Sequence, residues 1–379
     1  MQIKKEDLYP HLKKICYIPT LNIGVVTWRI ENYANELLKF KDDCIVHIDY
    51  IVDANSNIAW DKFAINHDEF SKKIVTKLEQ CFDYFDFLIF QKIQNKEALI
   101  LIEQLKKKYP QTKVIAEIDD AIGEVTPSNK NKFTYHHRYA AQHMIISDAI
   151  IASTQFLAES VREIVGNNKP IHVAPNCINI GDFGMCFDQK NINPLPKKET
   201  INLVYVGAGG HDEDLKLFIK PITNILNSRD DVRFIIRYGD HKPEFIPNHE
   251  FIDFKTNVIN SPNDEWAIKN YLYSMYKLNA NIGLAPLRDT QFNRCKSGIK
   301  WVEWSYLNVP LVASNVEPYK RIDGSLYLTD NNAYEIQKRI NIAIQSQSKR
   351  DFTFLKNQSM QTFNIKKECK RLLSFMDSL

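Results

Sequence analysis

The chain has 379 residues, 44% hydrophobic and 25% charged, a globular mixture that excludes a disordered or fibrous chain and makes two domains the expectation. Its 49 lysines and arginines against 46 aspartates and glutamates leave a net charge of +3, too mild to draw nucleic acid by bulk charge, so no nucleic-acid partner is expected. No run of about 18 apolar residues offers a membrane span, and residues 1–14 lack the apolar core of a signal peptide, so a cytoplasmic protein is expected.

In chain order, short apolar runs predict strands at 16–18, 44–51, 85–90, 114–118, 149–152 and 171–174. Helical periodicity lies between most of them, over 31–40, 67–81, 95–108, 134–147 and 154–165. Strands separated by helices of this length predict βαβ units and a buried parallel sheet. The alternation pauses at 177–199, where two glycines and two prolines mark a linker. It resumes with strands at 201–206, 232–237, 251–254, 282–286, 311–314 and 326–328, and helices over 212–228, 263–277, 296–308 and 332–346. A lysine-rich amphipathic segment, about 352–376, follows. The predicted fold class is therefore α/β, with two Rossmann-like doubly wound domains at 1–176 and 200–349, a linker at 177–199 and a terminal helix in 350–379. Ligands of such sheets bind at the carboxyl ends of the strands, so a cleft between the two halves is expected to hold the site. The seven cysteines (16, 44, 81, 177, 186, 295 and 369) form no Cys-x-x-Cys pair, which predicts buried reduced thiols and no zinc site.

Two segments of the second half stand out. The chain has only 12 glycines, and three of them, Gly207, Gly209 and Gly210, follow the strand that opens this half and precede a helix. Missing side chains let backbone approach a phosphate, and a helix N-terminus supplies N–H donors. Asp212 stands where a dinucleotide fingerprint has its third glycine, and no Gly-Lys-Ser/Thr follows, so neither a nicotinamide loop nor a Walker loop is indicated. His211 sits on the same loop; the plainer reading is a strand-to-helix turn. The second segment is 284–304. Between 286 and 300, Arg288, Arg294, Lys296 and Lys300 face one carboxylate, Asp289. Cations beside a helix N-terminus oppose its dipole, so an anion is expected among them, close to Gly298. A solvated basic loop is the alternative. Glu303, further along, could accept hydrogen bonds from ribose hydroxyls. In the first half, Asp119 and Asp120 end a strand and could bind acceptor hydroxyls or act as a base, or simply cap a loop. Gly24 is followed by Trp28 and Arg29, which could line the cleft or pack in the core.

These segments, taken in order, resemble the GT-B glycosyltransferases, specifically the group 1 retaining family (family 4). The glycine loop Val206 to Gly210, the strand Asn281-Ile-Gly-Leu-Ala-Pro286, the Glu-x7-Glu helix at 295–303 and the strand Pro310-Leu-Val-Ala-Ser314 match the donor domain. Ala174-Pro-Asn-Cys-Ile-Asn179 with Phe183 resembles the family's linker signature, and the stretch Asn22 to Ile30 its N-terminal glycine loop. Phe292, Asn293, Lys296, Ser297, Lys300 and Glu303 are similar to the version found in transferases that build bacterial surface glycans. Two departures stand out: Cys295 replaces the first glutamate of the helix, and Asp119 stands where the family often has histidine. Lys216 lies near the family's diphosphate-binding cations, a charge Lys296 and Lys300 could supply instead.

The resemblance implies transfer of a sugar from a nucleoside diphosphate sugar to a hydroxyl of a glycan or lipid-linked acceptor, with retention and no required cofactor or metal. It implies donor contacts from Gly207, Gly209, Gly210, His211, Arg288, Asn293, Ser297, Gly298, Ile299 and Glu303. Lys296 and Lys300 would stabilise the leaving diphosphate, with Asp120 as a further catalytic candidate. Gly24, Trp28, Arg29 and Asp119 would face the acceptor or cleft. The terminal helix is expected to return to the first domain, and Lys366, Lys367, Lys370 and Arg371 suggest peripheral contact with the inner face of the plasma membrane. A sugar-nucleotide epimerase of the same fold and a non-catalytic transferase-like subunit are the alternatives.

Overall fold

The computed structural model describes residues 12–19, 27–49, 69–121, 133–177, 200–207, 209–239, 241–256, 271–322, 326–347 and 351–379. Gly24 and most of the predicted linker lie outside them. The chain divides into two compact units: Met1–Asn176 with Cys295–Ser297 and Ile365–Leu379, and Cys177–Arg294 with Gly298–Asn364.

The first unit contains β1 (Lys13–Ile18), a π-helical turn (Thr27–Glu31) leading into α1 (Asn32–Leu37), β2 (Cys44–Ile48), α2 (Glu69–Tyr84), β3 (Phe87–Gln91), α3 (Lys96–Lys108), β4 (Lys113–Ile118), α4 (Phe133–Ile146), β5 (Ala149–Ala152), α5 (Gln155–Val165) and β6 (Ile171–Val173). Its sheet is ordered β2-β1-β3-β4-β5-β6, and neighbouring strands are parallel. Period-two alternation explains how both faces are buried. Cys16, Ile18, Leu88 and Phe90 pack with Leu78 and Phe82 of α2 and Ile102 of α3. Their strand neighbours Ile15, Tyr17, Phe87 and Ile89 pack on the other face with Tyr33, Ala34 and Leu37 of α1. Helix starts carry side-chain caps where the sequence provides them: Asn95 accepts from the Ala98 amide at 2.9 Å, and Thr154 from Leu157 at 3.1 Å.

The second unit contains β7 (Ile201–Gly207), α6 (Asp212–Ser228), β8 (Val232–Tyr238), β9 (Ile252–Lys255), α7 (Tyr271–Lys277), β10 (Ile282–Ala285), α8 (Gln291–Cys295), α9 (Ile299–Tyr306), β11 (Leu311–Ser314), a 3-10 turn (Tyr319–Arg321), β12 (Leu326–Thr329), α10 (Ala333–Ser346) and α11 (Phe354–Thr362). The order is β12-β11-β10-β7-β8-β9, again parallel. Leu203, Phe234 and Ile236 pack against Phe218, Ile222 and Ile225 of α6 and Ile340 of α10. Gly283 leaves room inside β10 for Trp304: a Cβ there would stand 2.6 Å from the indole.

Two predicted helices differ from expectation. The helix expected over 296–308 begins only at Ile299, as α9, and Lys296 to Gly298 separate it from α8, a short helix before the predicted range. The segment expected as one helix over 352–376 is two, α11 and α12 (Ile365–Asp377). They pack apart: Leu355 and Ser359 of α11 are buried in the second unit, and the Ser359 hydroxyl faces the Val302 carbonyl at 3.5 Å. Cys369, Leu372, Leu373 and Met376 of α12 instead join Ile15 and Tyr17 in the first core.

Burial also sets a pH dependence in the first unit. His172 on β6 stacks on Phe375 of α12 with ring centroids 5.1 Å apart, and burial, then Arg371 and Arg29, draw its pKa down to about 4. His143 of α4 is fully buried, accepts from the Ile93 amide at 3.2 Å, and is drawn down to about 3 by burial and Lys106. Each has a folded pKa below its unfolded value. The unfolded chain therefore binds more protons from about pH 6.5 downward, and stability falls as the pH drops, by about 1.4 kcal/mol per unit per histidine. Thermal unfolding between about pH 7 and about pH 4.5 should show that decline, shallower in His172→Phe. An unchanged slope in the variant would remove His172 from the account.

Candidate functional site

The topological switch point of the second sheet lies where β7 is flanked by β10 on one side and β8 on the other. Loops leaving neighbouring strands in opposite directions open a crevice at their carboxyl ends, the usual ligand position in such sheets. The loop after β7 holds Gly207, Gly209, Gly210 and His211; the loop after β10 holds Arg288 and leads to Asn293.

These loops are joined by Asp214, a 5% exposed residue in the first turn of α6. Its Oδ1 accepts from the Arg288 amide at 2.8 Å and from Asn293 Nδ2 at 2.9 Å, while its Oδ2 stands 2.9 Å from His211 Nδ1. Asn293 Nδ2 also donates to the Arg288 carbonyl at 3.0 Å. Ser314, ending β11, accepts from the Leu287 amide at 2.9 Å, and Asn331 donates to the Leu287 carbonyl at 2.7 Å. The basic loop is thus held by polar partners on α6, β11 and the segment before α10. Gly210 adopts a φ of 96°, which favours glycine, and Gly209 runs close to Gly239, where an added Cβ would lie 3.8 Å from Cα. A Cβ on Gly207 would meet the Tyr205 hydroxyl at 2.6 Å.

The second cluster is built on α9. Gly298 precedes the helix; a Cβ there would press on Ile322 Cδ1 at 2.6 Å. Ile299 opens the helix and Lys300 follows. Lys300 Nζ lies 2.9 Å from both the Tyr271 hydroxyl and Glu303 Oε2, and the Tyr271 hydroxyl stands 3.3 Å from the same carboxylate oxygen. Burial works against the lysine's charge, but Glu303 and Tyr271 outweigh it and raise its pKa. Tyr271 is pushed above the usual phenol range by burial and by Glu303. Burial above all holds the Tyr319 hydroxyl above the usual phenol range, with Lys300 opposing and Glu303 and Asp214 adding to the rise.

Arg288, Arg294 and Lys300 of the basic segment have carboxylate partners within the chain. Arg294 makes a two-bond contact with Asp289 at 2.6 and 3.0 Å, Lys300 meets Glu303, and Arg288 Nε is 3.7 Å from Asp214. Lys296 and Ser297, with Cys295, group with the first unit, where Thr154 Oγ1 donates to the Cys295 carbonyl at 3.0 Å and Asn176 Nδ2 to Ser297 Oγ at 2.7 Å.

In the first unit, Arg29 and Glu117 form an ion pair at 2.6 Å with side chains 1% and 2% exposed. Arg29 Nη1 also donates to the Ala174 carbonyl at 2.5 Å and to Asn176 Oδ1 at 3.0 Å. Asp119, after β4, accepts a hydrogen bond from Ser153 through its carbonyl at 2.8 Å, and its carboxylate lies 3.9 Å from Lys92 Nζ. Asp120 is half-buried beside it, and Trp28 lies in the π-helical turn. Among the described residues no group of three or more His, Cys, Asp or Glu side chains is placed to hold a metal ion, and no helix is long and apolar enough to cross a membrane.

Comparison with known proteins adds the fold. No protein-family model and no curated protein matches the chain. Solved structures do. HepE of Anabaena, in complex with UDP-glucose, is 12% identical with a TM-score of 0.64, covering 97% of this chain and 100% of its own. A glycosyltransferase from Rickettsia africae is 16% identical with a TM-score of 0.65, covering 97% of this chain and 98% of its own. A putative UDP-N-acetylglucosamine 2-epimerase from Listeria monocytogenes is 12% identical with a TM-score of 0.52, covering 96% and 95%. The chain has the GT-B fold. At these identities the likeness is one of architecture, and the chemistry has to be argued from the residues.

Within that fold, Asp214, Tyr271 and Glu117 are the residues that sequence reasoning passed over as site builders. A signal existed for Asp214: it stands three positions after His211 in a helical first turn, where the two side chains meet. Tyr271 carried none, because its partners are 29 and 32 positions away.

Proposed function

We propose that the chain transfers a glycosyl group from a nucleoside diphosphate sugar to a hydroxyl acceptor. The observation that carries this reading is Lys300, held charged by Glu303 and Tyr271 in the first turn of α9. A departing nucleoside diphosphate gains negative charge, and preorganised cations and helix N-terminal amides stabilise that charge. Gly298 and Ile299 would bring their amides to the phosphates, with Lys300 and Lys296 adding charge. Glu303 would reach the ribose while holding Lys300. The UDP-glucose complex of HepE supports a nucleotide sugar as donor.

The finer reading rests on the motif resemblance. It comprises a retaining mechanism, a glycan or lipid-linked acceptor, bacterial surface-glycan assembly, no required cofactor, and a cytoplasmic protein that meets the membrane peripherally. On α12, Lys366, Lys367 and Lys370 are exposed while Leu372, Leu373 and Met376 are buried, so such membrane contact would act through charge alone.

Two measurements test the proposal. UDP, GDP, ADP and dTDP are added separately in thermal unfolding, and at about 100 times Kd the cognate nucleotide should stabilise the fold by about 2.7 kcal/mol. No shift with any of the four would count against a donor site. A donor panel read by mass spectrometry then separates the reactions: a transferase releases nucleoside diphosphate only as an acceptor is glycosylated, whereas an epimerase converts the donor with no acceptor present.

A further inference from the structure

Cys295–Ser297 belong to the first unit, although the residues on either side of them belong to the second. They stand between α8 and α9 and lead directly into Gly298. Two side chains of the first unit hold them. The Thr154 hydroxyl already accepts from the Leu157 amide at the start of α5, and it gives its own proton to the Cys295 carbonyl at 3.0 Å. Asn176 Nδ2 donates to Ser297 Oγ at 2.7 Å.

Asn176 is itself fixed. A guanidinium only donates, so the 3.0 Å contact with Arg29 Nη1 identifies the oxygen end of the amide and turns Nδ2 toward Ser297. Arg29 Nη1 also donates to the Ala174 carbonyl, and the Tyr33 hydroxyl donates to the Pro175 carbonyl at 2.7 Å. Arg29 is anchored in turn by its buried ion pair with Glu117. Ala174, Pro175 and Asn176 are thus each gripped from the π-helical turn and α1, and Asn176 carries that grip to Ser297.

The grip falls where α9 has no other guide. Its N-cap is Gly298, which has no side chain to bond the first turn, and no side-chain cap hydrogen bond is made. The first amides of a helix lack intrahelical partners and are the groups that meet an anion. The chain entering at Ser297 therefore sets where those amides stand.

We propose, building on the donor-site reading above, that Asn176 is a positioning residue for nucleotide binding. It holds Ser297 so that the amides of Gly298 and Ile299 meet the diphosphate. The Ser297 hydroxyl serves this bond rather than the donor itself.

A double-mutant cycle on nucleotide affinity tests the role. UDP, GDP, ADP and dTDP are titrated calorimetrically into wild type, Asn176→Ala, Ser297→Ala and the double variant, each well below its Tm. Asn176→Ala leaves the Arg29–Glu117 pair and the Ala174 contact in place, so the fold should persist. Ser297→Ala removes the same bond from its other end and stands in if it does not. Each single variant should bind nucleotide about fivefold more weakly, the worth of one neutral hydrogen bond. The double variant should be no weaker, because both substitutions remove one interaction. Ser297→Thr, which keeps the hydroxyl, should bind as wild type does. Losses that add, a Ser297→Thr protein no better than Ser297→Ala, or a lowered Tm with wild-type affinity would overturn the role of Asn176 alone. Binding of none of the four nucleotides by wild type would overturn the donor-site reading with it.

Discussion

Lys300→Ala is expected to lower turnover by about two to three orders of magnitude, the loss seen when one preorganised group facing developing charge is removed. Lys300 is suited to that role because its charge is secured before any ligand arrives. Its Nζ is 2.9 Å from Glu303 Oε2 and from the Tyr271 hydroxyl, and its pKa is raised despite burial. The same geometry predicts that Glu303→Ala is also severe, since the lysine loses its fixed position. Lys300 remains 22% exposed at its side chain, so Glu303→Ala leaves it partly solvated and the fold should persist. Steady-state kinetics should show the Lys300→Ala loss in kcat, with nucleotide affinity reduced less. Wild-type turnover in both variants would remove α9 from the site.

The largest stability effect is expected at Arg29. Its guanidinium and Glu117 are both almost completely buried, and Arg29→Ala leaves a carboxylate inside the first unit without its counter-charge. Breaking such a pair costs about 3–5 kcal/mol, which for a unit of this size is a fall of about 10 °C in Tm. The loss should depend on pH. Burial raises the Glu117 pKa while Arg29 opposes it, so removing Arg29 raises it further. A carboxyl with a folded pKa above its unfolded value gives stability below the unfolded pKa and loses it as the pH rises, so the variant should be weakest at neutral pH and recover in acid. The double variant Arg29→Met with Glu117→Leu, which removes both charges, should be far milder than Arg29→Ala. Circular dichroism melts across pH decide it; an Arg29→Ala curve superimposed on wild type at pH 7 would contradict the argument.

Much of the fold could be read from alternation alone. Leu88 and Phe90 point into one core and Phe87 and Ile89 into the other, so the apolar run 85–90 announces a strand buried on both faces. Helix ends were less legible. The helix expected from Lys296 starts only after Gly298, and the short α8 before it was not foreseen. The break between α11 and α12 had no local sign, because it is set by which core each half joins. In the site, Gly207, Gly210, His211, Asn293 and Glu303 could be picked out because unusual residue types cluster along the chain. Their partners could not. Three cations of 286–300, Arg294, Lys300 and Arg288, meet Asp289, Glu303 and Asp214 of the chain itself, partners the sequence could not show. Composition counts charges, but pairing across distant positions is a property of the folded chain.

The position of α12 bears on how the protein is made. Cys369, Leu372, Leu373 and Met376 cover β1 beside α1, although residues 200–364 are synthesised between them and the sheet they complete. On the ribosome, the first sheet must therefore wait, with Ile15 and Tyr17 only partly covered, while the second unit emerges and can already fold. A fragment ending at Asn176 would keep that face open and tend to aggregate on expression. Supplying residues 365–377 as a separate peptide, or fusing them behind Asn176, is the practical route to a soluble first unit.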